Sequence, residues 1–156
     1  MSAESSSADP RDRAELPAPE TTAEWQFLVT LNDVLRPLGD PAKILAEACR
    51  LLGMYLGVNR VLYAEVDGDY CTVVNDYVDG VESMAGRFRW TDFAGSRIEE
   101  IERGAMLVVE DTATDPRTVA EREALLAVDT RAYLSPILIK DGRVVGAMGI
   151  HNRGVA

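Results

Sequence analysis

The chain has 156 residues, 47% of them hydrophobic and 27% charged, which suffices for one domain with its own core and leaves two domains cramped. Sixteen Lys and Arg against 26 Asp and Glu give a net charge of -10, which works against nonspecific binding to nucleic acid or an anionic membrane. No apolar run approaches the roughly 20 residues of a bilayer span, and the polar first residues lack a signal-peptide core, so a cytoplasmic protein with no membrane partner is expected.

Residues 1–20, rich in Ser, Ala, Pro, Asp and Glu, are expected to form a disordered arm, and residues 21–156 a single domain. Thr22 is placed as the N-cap of a first helix with Trp25, Leu28, Leu31 and Leu35 on one stripe and Pro37 at its end. Asp40-Pro41 starts a second helix, whose wide apolar face (Ile44, Leu45, Ala48, Leu51, Leu52, Tyr55, Leu56) runs to Gly57, with Cys49 beside it. Cys49 and Cys71, the only cysteines, fit neither a disulfide framework nor a metal cluster and are read as structural thiols.

Segments 58–66 and 70–78 read as a hairpin around Asp67-Gly68-Asp69, an acidic turn without the spacing of a calcium loop, so no metal is assigned. The irregular stretch 79–91 is of the kind that often belongs to a site. Asp92 is positioned to cap a helix over residues 93–103, followed by a strand at 106–109 and a polar turn at 111–115. Thr118 and Glu121 have capping-box spacing, ahead of a helix that turns Val119, Leu125, Leu126 and Val128 inward.

Residues 132–153 read as two strands joined by Asp141-Gly142, a strong signal for a two-residue turn that pairs Lys140 with Arg143. Strict alternation then puts Tyr133, Ser135, Ile137, Ile139, Val144, Met148 and Ile150 on one face, and Leu134, Leu138, Val145, Ala147 and His151 on the other. Both faces are mainly apolar, so this hairpin is expected at the centre of the sheet. The whole pattern is that of an α+β domain with one antiparallel sheet of five or six strands.

The runs LGVNRVLYAEVDGDYCTVVNDYVDG, RGAMLVVEDTATDP and AYLSPILIKDGRVVGAMGIHNR resemble a GAF domain over roughly residues 22–153. The resemblance is to the N-terminal sensory GAF module of bacterial HWE-type sensor histidine kinases and, more distantly, to phytochrome GAF domains. It implies helices on one face of the sheet and, on the other, a pocket roofed by residues 80–128. Family members use that pocket for bilins, cyclic nucleotides, haem or other small molecules, so the fold alone leaves the ligand unknown. His151 resembles the pocket histidine on the last strand of phytochrome-type domains, and Asp92 in WTDF falls near their pocket aspartate. No cysteine lies between Phe93 and Leu126, where the bilin-linking residue is expected, so covalent bilin attachment is not expected. The Asn-Lys-Phe-Asp-Glu motif of cyclic-nucleotide-binding members is missing as well.

The candidate ligand-binding residues are therefore His151, Tyr133, Trp90, Phe93, Asp92, Ser135 and Met148. Each has a plainer reading: His151 as a hydrogen-bonded strand-end residue, the aromatic residues as core, and Asp92 as a helix cap. Pro136 can introduce a bulge that changes the parity of Ser135 and Met148. No nucleophile and base occur together, so no catalytic residue is assigned. The expected function is a noncatalytic sensory module that binds a small molecule, forms a homodimer through its first helix, and signals to a histidine kinase or other output domain. The alternatives are a free methionine sulfoxide reductase of GAF type, or a ligand-free dimerisation module.

Overall fold

The structure, a computed structural model, describes residues 21–155. The expected disordered arm at residues 1–20 lies outside them. Two helices come first, α1 (Thr22–Leu35) and α2 (Pro41–Leu56). The cap of α1 is Thr21 rather than Thr22: its side chain accepts from the Glu24 amide, while the Glu24 carboxylate accepts from the Thr21 amide, closing a capping box. Asp40 caps α2 and Gly57 ends it in the left-handed conformation, as its sequence foreshadows.

The buried centre of α2 is Cys49 and Gly53, not the flanking leucines. A Cβ on Gly53 would fall inside the Tyr77 ring, so only glycine lets the helix settle this closely on the sheet. Against α2 lies α1, through the stacked rings of Phe27 and Tyr55 with centroids 4.1 Å apart. Even so, α1 has no fully buried residue.

Seven strands form one sheet: β1 (Arg60–Asp67), β2 (Tyr70–Val78), β3 (Gly86–Arg89), β4 (Leu107–Val109), β5 (Ala132–Ser135), β6 (Ile137–Lys140) and β7 (Arg143–Asn152). The order is β3-β2-β1-β7-β5-β4, with β6 also paired to β7. Of the C-terminal hairpin, β7 is therefore central, as expected, whereas β6 pairs with β7 alone. Two strands exceed those read from the sequence: β3, within the stretch read as irregular, where only Phe88 of four residues is apolar, too little to show alternation, and one more because Pro136 divides the first hairpin strand into β5 and β6.

Helix α2 covers β1 and β2. The roof over the opposite face is built of short pieces: α3 (Thr91–Ala94), a 3-10 turn at Gly95–Arg97, α4 (Ile98–Glu102), a 3-10 turn at Pro116–Thr118 and α5 (Arg122–Ala127). The single helix expected over residues 93–103 breaks because Ser96 donates its amide and hydroxyl to the Glu121 carboxylate instead of continuing a helical ladder. For the same reason Glu121 forms no capping box with Thr118, whose hydroxyl donates to the Thr112 carbonyl. Leu125 alone in that segment is a buried apolar side chain; Val119 and Leu126 are exposed.

Candidate functional site

Three residues of the floor, Leu62, Ala64 and Val66 on β1, point to the roof; their counterparts Val61 and Tyr63 face the helices. β7 contributes Ala147, Gly149 and His151 beside them, since Ala64 pairs with Ala147, Leu62 with Gly149 and Arg60 with His151. The parity of β7 is set by a bulge. Ile137 pairs with Ala147 and Leu138 with Gly146, but Ile139 pairs with Val144, so Val145 is the extra residue. Pro136 leaves the register unchanged, because Leu134 opposite Ile150 and Ile137 opposite Ala147 keep the same offset.

That one residue corrects the strict alternation expected from sequence. Val144, Ala147, Gly149 and His151 share the roof-side face with Tyr133, Ser135 and Ile137, and Met148, opposite Tyr63, turns to the helix side. Met148 is therefore not a wall of the site.

Between floor and roof lies a cavity of about 140 Å³. It separates two core clusters: Leu62, Ala64 and Val73 with Cys71 and Met84 on one side, and Ile101, Leu107, Val109, Leu125 and Tyr133 with Trp90, Phe93 and Ala94 on the other. Phe88 and Phe93 meet edge to face at 5.9 Å, closing one wall.

Of the residues expected at the site, His151, Trp90, Phe93 and Ser135 border this cavity. Trp90 is fixed by its indole N–H, which donates to the Gly68 carbonyl at 2.9 Å, and the Ser135 hydroxyl donates to the Met148 carbonyl at 2.7 Å. Tyr133 stands one step back. It pairs with His151 and meets the imidazole edge to face at 6.2 Å, but lies in the roof-side core rather than on the cavity wall. Its hydroxyl and Arg97 Nη1 are both buried without a well-formed hydrogen bond; burial pushes the phenol up and the nearby guanidinium opposes this. Asp92 is exposed in the first turn of α3, away from the cavity, and makes no capping hydrogen bond; Trp90 occupies the cap position.

The polar end of the cavity rests on two residues that sequence reading passed over. Arg60 is 1% exposed; its Nη1 donates to the Val128 carbonyl at 2.9 Å and to Thr130 Oγ1 at 3.2 Å, while Nε and Nη2 donate to the Glu82 carbonyl. Arg60 Nη1 lies 3.4 Å and Thr130 Oγ1 3.3 Å from His151 Nδ1. Burial, with the neighbouring Arg60 charge, holds the imidazole down to about 3. Arg60 opens a strand as an ordinary surface residue would, and only its pairing opposite His151 reveals its place.

Cys71 also borders the cavity, its thiol pushed up by burial. Cys49 lies in α2, against the other face of the sheet, and is pushed up to about 11. Among the described residues no group of three or more His, Cys, Asp or Glu is placed to hold a metal ion, and no helix is long and apolar enough to cross a membrane.

The GAF domain profile matches residues 40–155. Among solved structures, the phycocyanobilin-bound GAF domain of a cyanobacterial phytochrome is similar with a TM-score of 0.72 at 16% identity, covering 88% of this chain and 84% of that one. Free methionine-R-sulfoxide reductase of Neisseria meningitidis, in complex with its substrate, is similar at 0.65 and 18% identity, covering 89% and 80%. The A. aeolicus nlh2 GAF domain in an inactive state follows at 0.61 and 18%, covering 86% and 82%. At these identities the likeness shows the fold. No curated protein sequence matches the chain.

Proposed function

The chain belongs to the GAF domain family, and on that premise we propose that it is a noncatalytic sensory module of a bacterial signalling system, binding a small molecule in the cavity beside His151. The observation that carries this reading is the cavity itself: an apolar space between two core clusters, with one imidazole at its end. A merely structural domain gains stability by filling such a space. That solved relatives of the same fold hold a bilin or a substrate supports the site's use. The volume suits a single ring rather than a four-ring chromophore.

The output partner in this reading is a histidine kinase, of HWE type, or another effector domain, reached through a homodimer. Its support is α1, which buries none of its residues fully and leaves Trp25, Leu28 and Val29 exposed, next to Met54, Tyr55 and Leu56 at the end of α2. An apolar helical face of this kind suits pairing in water. The reading places the module in the cytoplasm.

One observation favours an enzyme instead, the presence of Cys71 on the cavity wall. A sulfoxide-reducing thiol needs a depressed pKa and a resolving partner, whereas burial raises Cys71 and Cys49 sits across the sheet. We expect no reductase turnover, and turnover abolished by Cys71→Ser would reverse this conclusion. The sensory reading is tested by native mass spectrometry of the protein from its own host. A noncovalent small molecule released on unfolding is expected; protein that carries none, and that no metabolite of the host stabilises, would overturn it.

A further inference from the structure

We infer that the cavity takes an uncharged, mainly apolar molecule of about six to eight non-hydrogen atoms bearing one hydrogen-bond acceptor of the carbonyl class, which accepts from His151 Nε2–H. This rests on the reading of the cavity as the binding site and specifies what enters it.

Size comes from the volume. At about 140 Å³ the space is close to the engineered apolar cavity of ~150 Å³ that stays dry and binds benzene.

Polarity comes from a donor count. The two hydrogens of Arg60 Nη1 go to the Val128 carbonyl and to Thr130 Oγ1. The Thr130 hydroxyl, accepting there, donates its own proton to His151 Nδ1 at 3.3 Å, and the positive guanidinium 3.4 Å away disfavours an N–H at that atom, so the neutral ring carries its proton on Nε2. No described residue pairs with Nε2. It lies over Gly149, 2.6 Å from where a Cβ would stand, and Gly149 borders the cavity. The hydrogen bond arriving at Nδ1 polarises the ring and strengthens the opposite N–H as a donor.

Charge is excluded by what surrounds that donor. The Ser135 and Trp90 donors are already committed, and among the described residues no charged side chain borders the cavity. The Arg60 guanidinium sits behind the imidazole, engaged with the Glu82 and Val128 carbonyls. The low imidazole pKa keeps the ring neutral, so no imidazolium is offered to an anion. A carboxylate here would exchange its whole hydration shell for one donor, a loss that a neutral carbonyl avoids.

The test uses three probes: cyclohexanone, its hydrocarbon isostere methylenecyclohexane, and cyclohexanecarboxylate, titrated at pH 7 into the isotope-labelled chain. Both neutral probes are expected to shift the amides of Leu62, Ala147 and Gly149, and only the ketone to shift the His151 Hε2 resonance. Because water favours the ketone, the decisive quantity is the ketone-to-hydrocarbon affinity ratio, expected to fall about threefold to tenfold in His151→Leu. If that variant does not fold, the Hε2 shift in the wild type decides. Hydrocarbon binding with no Hε2 shift by the ketone, an unchanged ratio, or carboxylate binding as tight as the ketone would overturn the ligand class while leaving the site standing. No cavity shift from any probe would instead overturn the site itself.

Discussion

His151 is the only histidine in the chain, which makes its environment readable from a pH profile. An unfolded chain takes up the imidazole proton near 6.5, whereas the folded site resists it down to about 3. Protons therefore favour the unfolded state, and stability is expected to fall steadily as pH drops below 6.5. Denaturant titrations between pH 7 and 4.5 check this, and His151→Leu is expected to flatten the slope in that interval. Gly149→Ala is the steric counterpart: its methyl group would meet His151 Nε2 and Leu62, so overpacking is expected to cost about 1 to 3 kcal/mol. A thermal melt reads that loss, and unchanged stability would mean the ring is free to swing away. At this scale the sequence made His151 legible through its position at the end of an apolar strand. It hid Arg60, 91 residues away, because a buried arginine that bonds to carbonyls leaves no local pattern.

Single elements were legible where local chemistry decides them. Gly57 and Asp40 bound α2, and Asp141-Gly142 makes the hairpin turn, with φ of 52° and 71° at its two central residues. Elements decided by distant partners were not. The Val145 bulge has no signature in an all-apolar run, yet it exchanges the two faces and removes Met148 from the site. The roof helices are shorter than their sequence pattern because the Glu121 carboxylate draws Ser96 out of the ladder. Helix α1 invites a test of its own. Since none of its residues is fully buried, a chain starting at Gly39 is expected to unfold cooperatively with a modestly lower melting temperature, while self-association disappears. Light scattering of both lengths measures this; equal association would place the dimer contact elsewhere.

For the molecule as a whole, the order of elements and the antiparallel sheet were readable from turn signals and periodicity, and the GAF profile agrees with that reading. The site was readable only as a region, since its walls come from strands and roof segments spread from Leu62 to His151. Acid stability is also set at this scale. Arg131 beside Asp111 and Arg117 beside Asp115 hold each carboxyl down to about 2, against 3.8 when unpaired. Their contribution is present above 3.8 and lost as pH falls toward 2, so below pH 4 a second phase of destabilisation is expected after that of His151. Replacing both aspartates by asparagine is expected to shrink that second phase to the part carried by Glu47 beside Arg50 and Glu100 beside Arg97, which a melting-temperature series in acid reads directly.

The central claim is that the cavity is kept open for a ligand, and filling it tests this most directly. Ala147→Leu adds three carbons on the cavity floor, and its melting temperature is to be compared with the wild type, with and without the small-molecule fraction of the native host. The account predicts that the fraction raises the melting temperature of the wild type and leaves that of a well-folded Ala147→Leu unchanged. An equal rise in both proteins, or none in the wild type, would contradict it.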